Sequence, residues 1–229
     1  MRFIFFSIIL IILNSCTSEQ QQVSLRETAQ LWAAQSFESE NESIDTNGEK
    51  SEVLVLKFEN LKKVNADYPK KYITSISAYK FLQNLAESEY SEYEYIKVRI
   101  KNNSTSFENT YKISDITALA TLLKPVDSFF EILKTKELDN LTMLFDTTLV
   151  TIKNILEMKK VIQHLDSAQG KPQKFTFVGF DFKTTGKEKT PVMISHTYAE
   201  YKNSFSDYVV VLRIHDKKII YFGMNEKSE

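Results

Sequence analysis

The chain is poor in the residues that usually carry cofactor chemistry. It has one cysteine, Cys16, among 229 residues. An internal disulfide needs two, and cysteine-ligated zinc or iron–sulfur sites need more. Five glycines and four prolines leave little loop able to bring backbone close to a phosphate. The glycine-rich nucleotide loops, the H-E-x-x-H zinc helix, the G-x-S-x-G elbow and the EF-hand loop are all missing. These gaps exclude the common forms of such chemistry, not every enzyme, and neither a cofactor nor a metal is expected. An excess of one charge is missing too. The 29 Lys and Arg are interspersed with 30 Asp and Glu, so no basic stripe exists for a nucleic acid to follow.

What is present begins at the N-terminus. After Met1-Arg2, the run from Phe3 to Leu13 is apolar except for Ser7. A basic start followed by an apolar run of roughly 7–15 residues is the pattern of a secretion signal. As a helix the run would cover about 16 Å, against about 30 Å of bilayer hydrocarbon, which is too short for a permanent span. The polar residues from Thr17 to Gln22 make the wrong flank for a core helix. Residues 1–15 are therefore expected to be an export signal.

Leu13-Asn14-Ser15-Cys16 resembles the bacterial lipobox, with an aliphatic residue three before the cysteine and a small one immediately before it. The resemblance implies cleavage before Cys16, its lipidation, and a mature chain of 214 residues held to the cell envelope by acyl chains. One chain attaches marginally, and two or more make a stable anchor. Thr17 is not the Asp that resembles an inner-membrane retention signal, which favours the outer membrane in a Gram-negative cell. Residues 16–23 then read as the lipidated Cys and a polar tether.

The rest reads as two α+β halves, 24–124 and 125–229, meeting near Lys124-Pro125. Ser24 and Glu27 have capping-box spacing for a helix to about Phe37, with Leu25, Ala29, Trp32 and Ala33 on one face. A polar loop with a turn at Asn47-Gly48 should follow, then a central strand over Glu52–Phe58, apolar on both faces. Pro69 suits the first turn of a second helix running to about Ser88. Tyr93–Lys101 and Phe107–Ile113 alternate as a hairpin, and Ser114–Leu123 is a short helix or a strand. In the second half, Val126, Phe129, Phe130 and Leu133 mark one helix. Leu138 to Phe145 marks a short second, and Thr151–Asp166 a third, with Ile152, Ile155, Leu156, Val161, Ile162 and Leu165 as its apolar set. Gly170 and Pro172 stop it. Four strands follow: Phe175–Lys183, Val192–Tyr201, Tyr208–His215 and Ile219–Met224.

Three helices followed by a four-stranded antiparallel meander resemble the nuclear-transport-factor-like, or cystatin-like, cone fold. The resemblance covers about residues 125–226 and implies a curved sheet around helices with a pocket at its wide end. Such folds serve enzymes and non-enzymes alike.

Few residues stand out as chemical. His164, near a helix end, fits a dipole partner, and His215 a solvated turn. His196, on the alternation Val192, Ile194, His196, Tyr198, is expected on the inward face, where it and Tyr198 would line the pocket or be satisfied in the core. Pairing Tyr201 with Tyr208 would set His196 opposite Arg213 and leave His215 on the other face, against a two-histidine metal site. Asp181 is expected to share a face with Phe175 and Phe177, either as a pocket carboxylate or as a solvated group. Tyr90, Tyr93 and Tyr95 alternate with acids, which suits a protein or glycan contact as well as plain strand propensity. The expected function is a membrane-anchored lipoprotein with a non-enzymatic binding or scaffolding role toward another envelope component. The alternatives are a small-ligand binder, or a hydrolase or isomerase, in the cone pocket, and an inhibitor or immunity lipoprotein.

Overall fold

A computed structural model describes residues 18–46, 49–64, 69–186, 189–202 and 204–227. The signal, the lipobox and the Asn47-Gly48 turn lie outside the described residues.

The chain is mixed α+β. Helix α1 spans Glu19–Trp32. Its cap is Ser18, whose Oγ accepts from the Gln21 amide at 3.1 Å, so the expected start at Ser24 and the tether over 16–23 are both corrected. The helix begins earlier because Ser18 supplies the cap and Gln21 is held by the Glu89 carbonyl. Ser24 is buried inside the helix and donates to the Phe81 carbonyl at 2.6 Å. Ala33, left-handed at φ 50°, ends the helix short of Phe37.

Strands β1 (Ser36–Thr46) and β2 (Glu49–Glu59) form an antiparallel pair. β1 replaces the expected polar loop. Its Glu38, Glu40 and Glu42 meet Lys57 of the adjacent strand and Lys97 and Arg99 one strand further on, so cross-strand charge and backbone pairing do what apolar side chains do elsewhere. β2 is central as expected: Val53, Leu54, Val55 and Leu56 are all buried. From β2 the chain crosses through α2 (Lys70–Gln83), capped by Pro69, to β3 (Tyr95–Asn102), which runs parallel to β2 and pairs with β4 (Thr105–Lys112) in a hairpin. α2 is buried nearly all round. It carries Thr74, Ser75, Ser77 and Ala78 where its neighbours approach.

Helix α3 runs unbroken over Ile113–Thr135 with Pro125 inside it. The expected boundary at Lys124-Pro125 therefore falls within one helix. Pro125 removes one amide hydrogen bond, and the apolar rows Ile116, Leu119, Leu123 and Val126, Phe129, Phe130, Leu133 carry the helix across that gap. The expected short second helix is a 3₁₀ helix over Leu138–Met143, and α4 covers Ile152–Gln169. Of α4's expected apolar set, Ile155 and Ile162 are buried, while Ile152, Leu156 and Val161 are exposed.

β5 (Lys174–Thr185), β6 (Thr190–Glu200), β7 (Phe205–Arg213) and β8 (Ile219–Lys227) form the expected meander, antiparallel throughout and in chain order. The β6–β7 register sets Glu200 opposite Phe205 and His196 opposite Val209. This corrects the expected pairings of Tyr201 with Tyr208 and of His196 with Arg213. The two tyrosines still meet, hydroxyl to hydroxyl, at 2.6 Å. The inner face of this sheet is filled by rings: Phe129 lies 4.8 Å from Phe222, and Phe130 4.8 Å from Phe175. A single hydrophobic cluster runs from Leu25 and Trp32 through α2 and α3 to Leu212 and Ile219.

Candidate functional site

The three candidate residues share one face of the second sheet, and it is not the inner one. Met193, Thr197 and Ala199 of β6 point to the core, so His196 and Tyr198 point to the opposite face, contrary to expectation. Asp181 joins them through a bulge. Phe177 pairs with Thr197 and Gly179 with His196, leaving Val178 as an extra residue. An extra residue reverses the alternation beyond it. Phe180 and Phe182 thus continue the face of Phe175 and Phe177, and Asp181 turns to the other side.

Although His196 is on the outer face, it is only 8% exposed. Tyr72 of α2 reaches over Gly179 and covers it. The Tyr72 hydroxyl is 2.7 Å from His196 Nδ1, and the two rings are 4.4 Å apart. A side-chain carbon at position 179 would stand 2.6 Å from the Tyr72 ring, so only glycine lets this tyrosine lie flat. Burial, followed by the Lys71 charge, lowers the His196 pKa to about 4, which leaves the ring neutral near pH 7. Asp207 is 4.0 Å from its Nδ1. Burial, and then Asp207, raises the Tyr198 phenol. Asp181 is held between Lys71 at 3.5 Å and Lys183 at 3.4 Å. Histidine, tyrosine and carboxylate are thus brought to one face, but His196 is bonded and roofed over, and Asp181 is engaged by lysines. The arrangement fastens α2 to the sheet.

The other candidates scatter. His215 is exposed in its turn, 3.8 Å from Asp216, and His164 is exposed on α4. Tyr93 does not extend a surface patch: it is buried, and its hydroxyl donates to Asn41 Oδ1 at 3.0 Å. Among the described residues no group of three His, Cys, Asp or Glu is placed to hold a metal ion.

A cleft opens on the inner side, between α3 and the start of β5, with a volume of about 360 Å³. Its floor is Leu123, Val126, Phe130, Phe175, Phe177 and the buried Thr197; Asp127, Glu131, Lys134 and Lys174 stand on its rim. Phe175 and Phe177 are half-buried, so their rings are open to an incoming group. Partial desolvation raises the Asp127 carboxyl, and burial, followed by the Asp127 charge, raises the Tyr79 phenol. No motif marked these residues, because the cleft is assembled by an edge strand meeting a helix some 45 positions away.

No protein-family model matches the chain, and no curated protein matches it. Among solved structures it is similar to that of Bdellovibrio bacteriovorus Bd1075, at 10% identity and a TM-score of 0.37, over 84% of this chain and 76% of that one.

Proposed function

We propose that this is a lipid-anchored envelope protein that binds or scaffolds a partner and does not catalyse a reaction. The observation that carries the anchor is the apolar run ending in Leu13-Asn14-Ser15-Cys16. Ser18 already caps a helix, so at most about 7 Å of extended chain separates it from Cys16. On this reading the folded body stands close against its membrane, the outer one in a Gram-negative cell. Binding is favoured over catalysis because His196, the buried acid–base candidate, is neutral, bonded and covered by Tyr72. Mass spectrometry of the mature N-terminus should find an acylated Cys16, absent in Cys16→Ala. A chain starting at an unmodified Met1 would overturn the anchor.

A second reading, a small-ligand site, is favoured by one feature. The α3–β5 cleft has the size of small-ligand pockets, which begin at roughly 300 Å³, and it offers two open phenyl rings.

A further inference from the structure

β5 is the outermost strand of its sheet, paired only with β6. α2 lies against this strand: the Tyr72 ring lies on Gly179, Ser75 Oγ accepts from the Phe180 amide at 3.4 Å, and the Tyr79 ring meets that of Phe177 edge to face. Among the described residues no hydrogen bond reaches the outer edge of residues 174–177. In an antiparallel ladder alternate residues turn both N–H and C=O away from the partner strand, so this stretch presents unused donors and acceptors. Proteins normally blunt such an edge with charge, proline or a bulge. Here Lys174 and the Val178 bulge stand at the two ends, and Phe175, Thr176 and Phe177 lie between them.

The cleft runs beside this open edge, with α3 as its far wall. On that wall Asp127 and Glu131 are one helical turn apart. Lys134 lies 3.9 Å from Glu131, whereas no cation of the described residues lies within ion-pair distance of Asp127. Partial desolvation at the cleft rim raises the Asp127 carboxyl, and a cation beside it would reverse that effect.

We propose that residues 174–177 of β5 take up an extended peptide as an added strand, with one apolar side chain of the peptide in the α3–β5 cleft and a basic one beside Asp127 and Glu131. This deepens the binding reading above and rests on it, but not on the anchor. Backbone pairing supplies the affinity and the cleft the selectivity, as in other strand-addition grooves.

The test is an amide NMR titration of the mature chain carrying Cys16→Ala. The probes are the blocked peptide Ac-KVFVK-amide, its counterpart with glutamate for lysine, a version N-methylated at alternate amides, and phenethylamine. The basic peptide should give saturable shifts at residues 174–177 and at Asp127 and Glu131. The acidic and N-methylated peptides should bind about tenfold more weakly or worse. Both side chains stand on the cleft rim outside the core, so Asp127→Asn with Glu131→Gln should fold normally and erase the preference for the basic peptide. Absence of saturable binding, or equal binding of the N-methylated peptide, overturns the proposal. Phenethylamine binding as tightly as the peptide overturns strand addition while leaving the cleft a ligand site. Shifts confined to another surface overturn it while leaving the binding role intact.

Discussion

A methyl group at position 179 would meet the Tyr72 ring at 2.6 Å, with the ring's near edge and its own Cβ all in the way. Gly179→Ala should therefore destabilise the protein by about 1–3 kcal/mol, read as a lower urea midpoint at unchanged slope. His196 makes a second prediction, on pH. Its folded pKa, about 4, lies below the ordinary 6.5. Between those values the unfolded chain takes up a proton that the folded chain refuses, so stability rises with pH across the window. The contribution is complete above pH 6.5 and is lost as pH falls through 4, amounting to about 3 kcal/mol at most. His196→Gln should flatten the change in urea midpoint between pH 7 and 4.5; an unchanged slope would refute this role. The sequence singled out His196, Tyr198 and Asp181 as the residues to watch. Which face they occupy was hidden, because the Val178 bulge that turns Asp181 around has no sequence signature, and because Tyr72 arrives from more than 100 residues away.

Among the elements, those with strong periodicity were legible: the meander, the β3–β4 hairpin and the central β2 stand close to where alternation puts them. The errors have local causes. Ser24 has a capping-box partner in Glu27, but Ser18 caps first, and tertiary contacts with Phe81 use Ser24 differently. Ser18→Ala should cost about 1 kcal/mol through loss of the cap, detectable as a fall in melting temperature. β1 lacks apolar alternation because its glutamates answer lysines and an arginine on β2 and β3. Pro125 reads as a boundary, yet α3 passes through it. The cleft could not be read at all, since neither wall carries a motif and its shape exists only once α3 lies beside β5.

For the whole molecule, the continuous α3 and the shared core predict that the two halves do not fold apart. Residues 125–229 alone would lose α2 and the first half of α3, leaving the β5 edge and Phe180 uncovered. That fragment should show no cooperative unfolding transition, whereas residues 16–229 with Cys16→Ala should show one, by calorimetry. An independently folding fragment would contradict a single core.

The parallel pairing of β2 with β3 sets a sequence of events in time. Val53 must find Tyr95, 42 residues away, while each strand of the meander meets its neighbour across a short turn. Distant pairings close slowly, so the second sheet should form while the first is still open. Until α2 docks, the whole length of β5 is then a bare template for the strands of other molecules. In pulsed hydrogen exchange during refolding, amides of β6 and β7 should be protected before those of β2 and β3. The brief interval between the two is when a folding chain is most open to aggregation.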